Sequence, residues 1–443
     1  MKIIISFALS FTLFISNGLA QTAGNIPTQE EYAQALASAL GSDAGRFQQM
    51  LGALSAYCGT QENFQTGMGG NCDLLYFAAL ENDGDGVKRV LTRLRPREVV
   101  QSARTSAEII ANQQANLASR MSQVRAGVNS IAITINGTDL PISALGYLAD
   151  NSSNTPQLVS PWGFFINGQF SNGDYRYSDA SDEGFDFDTN SFTAGIDYRF
   201  NNKGVVGLAI GRSNFDSEAT INASTSSTAT TYSAYGSYNI NDNFYVDARL
   251  SHGSPDFEQA RTVNFTLGGN VTDLRVKGST QGTQDSYIIS SGYQFNSMNG
   301  WLFTPSISYE YNKTTVDAFV ETGAPSFNVG FSEQNFKTNR TTLGLQASKA
   351  ISLSKGVLIP SFNYNFINEN QNSDVVLMRI SGMPAGEFFE TPVNFNDSSY
   401  STAKIGLTFV AAHGRQVYLQ YSKVFGWEGF NRDTIALGAR FEF

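Results

Sequence analysis

The segment Ser191-Phe-Thr-Ala-Gly-Ile-Asp-Tyr-Arg-Phe200 carries an apolar or aromatic side chain at every second position, from Phe192 to Phe200. The intervening positions hold Ser, Thr, Gly, Asp and Arg. Successive side chains of a strand point to opposite faces, so this alternation predicts a β-strand with one apolar and one polar face. Residues 244–251 alternate in the same way, and the pattern returns repeatedly between about residue 161 and residue 443.

Polar connections of two kinds separate these strands. Short turns such as Asn201–Gly204 and Asn241–Asn243 alternate with longer loops near 171–188, 256–282, 317–333, 371–396 and 426–431. Twelve strands are predicted, over 161–170, 190–200, 204–215, 228–240, 243–254, 283–296, 301–315, 335–350, 356–369, 398–411, 415–425 and 433–443. An even number of long strands, joined by alternating short turns and long loops, is typical of a transmembrane β-barrel. A soluble sandwich would rarely repeat strands of this length.

We therefore expect a mainly β fold, a 12-stranded antiparallel transmembrane β-barrel over 161–443, preceded by a small α-helical domain. Lipid offers no partner to unpaired backbone groups, so the sheet has to close on itself. The apolar faces should then meet lipid, and the polar faces should line the lumen. Tyr and Phe side chains beside the turns should form interfacial girdles.

The amino-acid composition disfavours several classes of function. Only 15% of the residues are charged, whereas Gly, Phe and Tyr number 41, 33 and 19. The net charge of −10 disfavours nucleic-acid binding, which needs clustered Lys and Arg. Two histidines leave little room for His-based metal or triad chemistry. Most classes of soluble enzyme are disfavoured on these grounds.

The first twenty residues have the pattern of a secretory signal. Lys2 precedes an apolar run, Ile3–Ile15, and the small residues Gly18 and Ala20 stand at the −3 and −1 positions. The run is too short for a membrane-spanning helix, which needs about 20 apolar residues. We expect export and cleavage before Gln21.

Residues 21–126 have the periodicity of helices. Thr28 and Glu31 form a capping box, and a long helix is predicted from Pro96, with apolar side chains at intervals of three, four and seven between Val99 and Val124. We expect this apolar stripe to pack against the earlier helices. Residues 127–160 are interpreted as a linker or pore-crossing segment.

Cys58 and Cys72 are the only cysteines of the chain. They lie close together in sequence, and export would place them in an oxidising compartment. No His or further Cys lies nearby to complete a metal site. We predict a structural disulfide between them.

Candidate chemical motifs are weak. His252 stands in Ser251–Asp256, but neighbouring side chains in an extended segment point apart and do not make a triad. The stretch Glu81–Gly86 has the start of a Ca²⁺ loop, yet Thr92 stands where a bidentate Glu is required. The acidic loop 171–188 has two interpretations, divalent cations bridging lipopolysaccharide or a solubilising loop. We predict no catalytic residue, no cofactor, no metal site and no enzymatic activity.

Several segments resemble autotransporter β-domains of Gram-negative outer membranes. Gly184–Thr189, Thr193–Phe200 and Gly207–Gly211 are similar to the opening hairpins of that family, and the resemblance covers about 160–443. Upstream, the cysteine pair and Leu91–Pro96, followed by an Arg-bearing helix to Arg125, resemble a short-passenger branch. The resemblance implies an outer-membrane translocator barrel.

The last predicted strand resembles the signal that the barrel-assembly machinery reads. Ile435, Leu437, Phe441 and Phe443 are apolar at alternate positions. An extended strand with an aromatic anchor can be captured by a sheet edge, which supplies the physical reason. Expected partners are therefore this machinery, together with outer-membrane lipid and lipopolysaccharide. Binding to nucleic acid is not expected, and the protein should be a monomer.

Two functions remain open at this stage. In the first, the barrel anchors the helical part and displays it outside the cell. In the second, the protein is a passive porin-like channel, and its helical part lies in the periplasm or plugs the lumen. The apolar stripe of the long helix favours helices packed on one another outside the lumen, because a water-filled lumen would offer it no packing partner.

Overall fold

A computed structural model gives the fold of this chain. It describes residues 26–94, 98–125, 162–176, 184–200, 203–219, 223–297, 299–373, 376–381, 383, 388–391, 398–411 and 416–441. The predicted signal sequence, the 127–160 segment and Phe443 lie outside the described residues.

Twelve long strands form a closed antiparallel barrel, as predicted. They are β1 (Trp162–Tyr175), β2 (Phe185–Phe200), β3 (Gly204–Ala219), β4 (Ala223–Asn239), β5 (Phe244–Leu267), β6 (Asn270–Tyr293), β7 (Trp301–Val316), β8 (Gln334–Lys349), β9 (Gly356–Ser373), β10 (Ser399–Ala411), β11 (Gln416–Phe425) and β12 (Phe430–Phe441). Each strand pairs with its neighbours in sequence, and β1 pairs with β12 from Phe164–Phe441 to Tyr175–Phe430. Closure therefore leaves no free edge in the barrel wall.

The outer wall carries an apolar band between two aromatic rows. Side chains such as Ile196, Leu208 and Leu345 are about half exposed on this wall. Exposed aromatic residues flank the band at the short-turn end (Trp162, Tyr198, Tyr238, Tyr293 and Trp301) and towards the long loops (Tyr232, Tyr287, Tyr309, Tyr364 and Tyr421). This is the arrangement expected of a wall that faces lipid.

The long loops are more ordered than the sequence suggested. The predicted 256–282 loop is wrong, because β5 and β6 continue as a hairpin that turns at Gly268 and Gly269, both with positive φ. Residues 171–175 and 185–188 of the predicted 171–188 loop also belong to β1 and β2. The 317–333 and 371–396 loops contribute a small sheet of Phe319–Val320, Val329–Phe331, Val376–Ile380 and Phe389–Thr391. In these segments polar residues are interspersed with buried apolar ones. The segments are polar on average, so the sequence predicts loops there.

The N-terminal part is helical, with α1 (Gln29–Leu40), a 3-10 turn (Gly41–Phe47), α2 (Gln48–Cys58), α3 (Gly67–Gly70), α4 (Cys72–Leu80), α5 (Gly84–Leu94) and α6 (Glu98–Arg125). The capping box of Thr28 and Glu31 is present, and Cys58 is bridged to Cys72 as predicted. Among the described residues no helix is long and apolar enough to cross a membrane.

Helices α1–α5 sit on the long-loop end of the barrel. Their buried side chains share one apolar core with Phe257 and Val263 of the β5–β6 hairpin and with Phe331 of the small sheet. Arg261 of β5 donates to the carbonyl of Arg93 (2.6 Å) and forms a two-bond ion pair with Glu321 (2.7 Å each). The helical domain and the extended loops are therefore one packed unit.

Candidate functional site in the occupied lumen

Helix α6 lies inside the barrel, against the lumenal face of β1–β6. Near its start, the carbonyl of Ser106 accepts a bond from Gln284 Nε2 (2.7 Å). Near its end, Arg120 meets Asp197, which is close to the short-turn end of β2. The chain thus runs from α1–α5 at the long-loop end, through the lumen, towards the short turns.

A run of amide side chains fixes the helix to the wall. Asn116 Nδ2 donates to Thr193 Oγ1 (3.0 Å) and Ser191 Oγ (3.2 Å). Gln113 donates to Ser213 Oγ (2.7 Å) and accepts from Thr193 (2.7 Å). Gln113 also lies against Gly211, where a Cβ would come within 2.1 Å of its Oε1. Complementary hydroxyl groups and a glycine gap therefore set the depth of the helix.

One ion pair is wholly buried at the far end of α6. Arg120 and Asp197 have side chains with no exposed surface, and Arg120 Nε donates to Asp197 Oδ2 at 2.5 Å. The Tyr235 hydroxyl donates to the same oxygen (2.9 Å), and the guanidinium lies 5.0 Å from the centre of the Phe165 ring. A Cβ at Gly163 would be 2.5 Å from Arg120 Nη2, so this glycine makes room for the pair.

The expectation that the apolar stripe of this helix packs on the earlier helices is wrong. Leu117 and Met121 pack instead on Phe165, Ala209 and Tyr235 of the barrel wall. Ile109 joins a second lumenal cluster of aromatic residues, which includes Phe187 and Phe215. The lumen is partly lined with aromatic side chains, and it therefore offers the stripe the packing surface that a purely polar pore would lack.

Two further contacts tie α6 to the wall. Arg249 Nη1 of β5 donates to the carbonyl of Gln114 (2.8 Å). Arg432 Nη1 of β12, the strand next to β1, forms an ion pair with Glu108 (2.6 Å). Sequence reasoning missed these residues. The available signals were the run of Asn and Gln between 112 and 116 and the basic character of residues 85–126 beside an acidic barrel.

The other residues singled out from sequence do not converge on a reactive centre. His252 Nδ1 lies 2.8 Å from Asp285 Oδ1, both on the exposed outer wall. Asp83 of the Ca²⁺-like stretch accepts from the Gly86 amide (2.8 Å) at the start of α5. Within the described ranges no group of three His, Cys, Asp or Glu side chains is placed to hold a metal ion.

The closing strand follows the predicted register. Ile435 and Leu437 are about half exposed on the outer wall of β12, and Phe441 pairs with Phe164 of β1.

This chain is similar to known proteins in both sequence and structure. The sequence profile of the autotransporter beta-domain matches residues 164–422. An uncharacterized protein in the trpE-trpG intergenic region of Pseudomonas putida is 29% identical over 45% of this chain and 33% of its own length. Esterase EstA of Pseudomonas aeruginosa is 26% identical over 52% of this chain and 35% of its own length. This chain thus spans about a third of the length of these curated relatives.

Two solved structures are similar to this chain at low sequence identity, and the first of them shares its fold. The translocator domain of the autotransporter NalP from Neisseria meningitidis has a TM-score of 0.51 and 15% identity, covering 64% of this chain and 89% of that domain. The β-domain of the Bordetella autotransporter BrkA has a TM-score of 0.46 and 14% identity, covering 64% of this chain and all of that domain, 100%.

Proposed function

The chain belongs to the autotransporter β-domain family, and from this premise we propose that its barrel holds the α1–α5 domain outside the cell. The observation that carries the proposal is the path of the chain. Helices α1–α5 pack at the long-loop end, and α6 then passes through the lumen to the short-turn end. In outer-membrane barrels the long loops are extracellular and the short turns periplasmic.

Export is part of the same proposal. A cleaved signal over residues 1–20 would deliver the chain to the periplasm, and the strand closed by Phe443 would be read by the barrel-assembly machinery. Lipid and lipopolysaccharide would then contact the apolar band and the aromatic rows. The barrel would act as a monomer, since β1–β12 close without a second chain.

An open channel is less well supported. The amide contacts, the two ion pairs and the apolar clusters hold α6 in place in the lumen. A helix is about 10–12 Å wide with its side chains, which is most of the interior of a barrel of this size. A passive pore would gain nothing from so many specific contacts.

An anchoring role also fits better than catalysis. A relative carries the name esterase, but this chain covers only 35% of that protein. The described part of this chain places His252 beside Asp285 on the outer wall, and the lumenal contacts are made by amides, hydroxyls and ion pairs. We therefore propose that the chain itself is not an enzyme.

Labelling of single introduced cysteines on intact cells tests the display proposal. Glu62→Cys places a thiol on the exposed surface of the helical domain, and Asp242→Cys places one in the exposed short turn between β4 and β5. The reagent is a maleimide on a polyethylene glycol too large for porins. We expect Glu62→Cys to be labelled on intact cells and Asp242→Cys only after the outer membrane is disrupted. Labelling of both only after disruption would show that the domain is periplasmic.

A further inference from the structure

A polar cavity of about 220 Å³ lies in the lumen beside α6, on the side of β7–β12. One row of inward-facing residues crosses these strands at a single register level, because each member is the cross-strand partner of the next. The row consists of Thr304, Gln346, Asn363, Lys404, Ser422 and Thr434, and all six line the cavity. Lys404 carries the only charge in this row.

Helix α6 leaves this row without polar partners from its own side chains. The amides of Asn112, Gln113 and Asn116 bond to β1–β3, and the α6 residues that border the cavity are Ala115, Asn116 and Ala118. Lys404 has no hydrogen bond or ion pair among the described residues. Gln346 is only 5% exposed, and its Nε2 lacks a hydrogen-bond partner there as well. The donors Lys404 Nζ and Gln346 Nε2, and the acceptor Asn363 Oδ1 between them in the row, therefore face the cavity without a protein partner among the described residues.

The electrostatic surroundings favour a negative ligand. Arg249 also lines the cavity, and both Arg249 and Arg432 are near enough to repel Lys404. Arg432 is already paired with Glu108 (2.6 Å). The carboxylate that lines the cavity, Asp247, accepts from Ser237 Oγ at 2.7 Å. Cations thus outnumber carboxylates around this cavity, although the chain as a whole carries a net charge of −10.

We propose that this cavity binds a small oxyanion of the inorganic phosphate type. The Lys404 ammonium would supply the charge, and the Gln346 amide would donate a hydrogen bond from the neighbouring part of the row. Hydrogen bonds between charged donors and oxyanions are stronger than those between neutral groups. Partial exclusion of water from the site strengthens them further. The proposal does not depend on whether α1–α5 lies inside or outside the cell.

Equilibrium dialysis of radiolabelled phosphate against the full chain, purified and folded in detergent, tests the proposal. We expect saturable binding of about one phosphate per barrel, weakened at least about tenfold by Lys404→Gln, as expected for loss of a charge-assisted bond. Lys404→Arg keeps the charge and should retain binding within a few fold. Gln346→Leu, which removes the amide donor at similar volume, should weaken binding by a smaller factor.

The matched control is Lys337→Gln, the same change of charge on the exposed outer wall of β8. It should bind phosphate as the unaltered protein does. Heat-modifiable gel mobility confirms that each variant is a folded barrel. Absence of saturable binding to the unaltered protein would overturn the proposal. Equal loss in Lys337→Gln and Lys404→Gln would also overturn it, because binding would then reflect overall charge.

Discussion

At the residue scale, the buried pair of Arg120 and Asp197 fixes the far end of α6 to β2. Replacing one partner leaves the other charge buried, which typically costs about 3–5 kcal/mol. We expect Arg120→Met to lower the free energy of unfolding in urea by an amount of this order. Arg120→Met combined with Asp197→Asn should recover most of the loss, because no uncompensated charge remains. Equal destabilisation by the single and double changes would contradict the assignment.

A second contact between two side chains makes the stability of the helical domain depend on pH. Lys88 Nζ donates to Asp43 Oδ2 at 2.6 Å, and this bond holds the pKa of Asp43 below its ordinary value of 3.8. A carboxyl group whose pKa is lowered by folding stabilises the folded state above its unfolded pKa, and this contribution is lost as the pH falls through the folded value. The pair is partly exposed, so the effect should be small.

Asp43→Asn removes this titration. We expect the variant to be slightly less stable near neutral pH and to lose less stability than the unaltered protein below about pH 4. Near-UV circular dichroism during acid titration measures this difference. The Thr28–Glu31 capping box, which also holds the pKa of Glu31 down, is unchanged in both proteins and serves as an internal reference. Identical acid profiles would show that Asp43 has no such role.

At the scale of elements, the strands could be predicted far better than their surroundings. Alternation such as that of Phe192–Phe200, together with short Asn- and Gly-containing turns, marks strand positions because both follow from local geometry. The extension of β5 to Leu267 was missed because its buried residues, such as Phe257 and Val263, contact the helical domain and the small sheet. These contacts are distant in sequence, and no local pattern reveals them.

The position of α6 could not be predicted for a related reason. Its apolar stripe correctly indicated a packed helix, but Leu117 and Met121 pack on aromatic residues of the wall. The partners of Asn116 and Gln113 are hydroxyl groups on β2 and β3. The amide and apolar side chains of α6 match complementary parts of this wall, and that match exists only after the barrel has closed.

The disulfide joins two elements of the helical domain, α2 and α4. In the loop-entropy estimate, a bridge across a separation of 14 residues is worth about 3 kcal/mol. We expect Cys58→Ser to make the α1–α5 domain several-fold more sensitive to protease, while the barrel still assembles. Thiol labelling of the denatured, unreduced protein checks the bridge itself. Full labelling of both cysteines in the exported protein would contradict it.

Variants in the closing strand test which of its residues face lipid and whether its end acts as an assembly signal. Arg at position 437 would place a charge on the lipid-facing wall, which costs about 2–4 kcal/mol at the bilayer midplane. We expect Leu437→Arg and deletion of Phe443 to reduce the heat-modifiable, inserted form. Asn431→Arg, on the same strand but at its exposed long-loop end, should insert normally. Full insertion of both Leu437→Arg and the deletion variant would show that the proposed register and signal are wrong.

At the scale of the whole molecule, one chain supplies both the barrel and the structure that fills it. The same long-loop end holds α1–α5 through the β5–β6 hairpin, so the helical domain is attached twice, by packing and by α6. Removing the packed domain should therefore leave the lumen occupied, whereas removing α6 should not. This distinction separates the two attachments experimentally.

Two deletions compared in planar bilayers test it. A chain that lacks 26–125 loses α6, and a chain that lacks only 26–94 keeps it. Because α6 is held to β1–β6 and β12 by its own contacts, the shorter deletion should conduct little more than the intact protein. The longer deletion frees a path about as wide as a helix, about 10 Å, and should raise conductance several-fold. Similar conductance in the two deletions, with both barrels folded by gel mobility, would mean that α6 does not block the lumen.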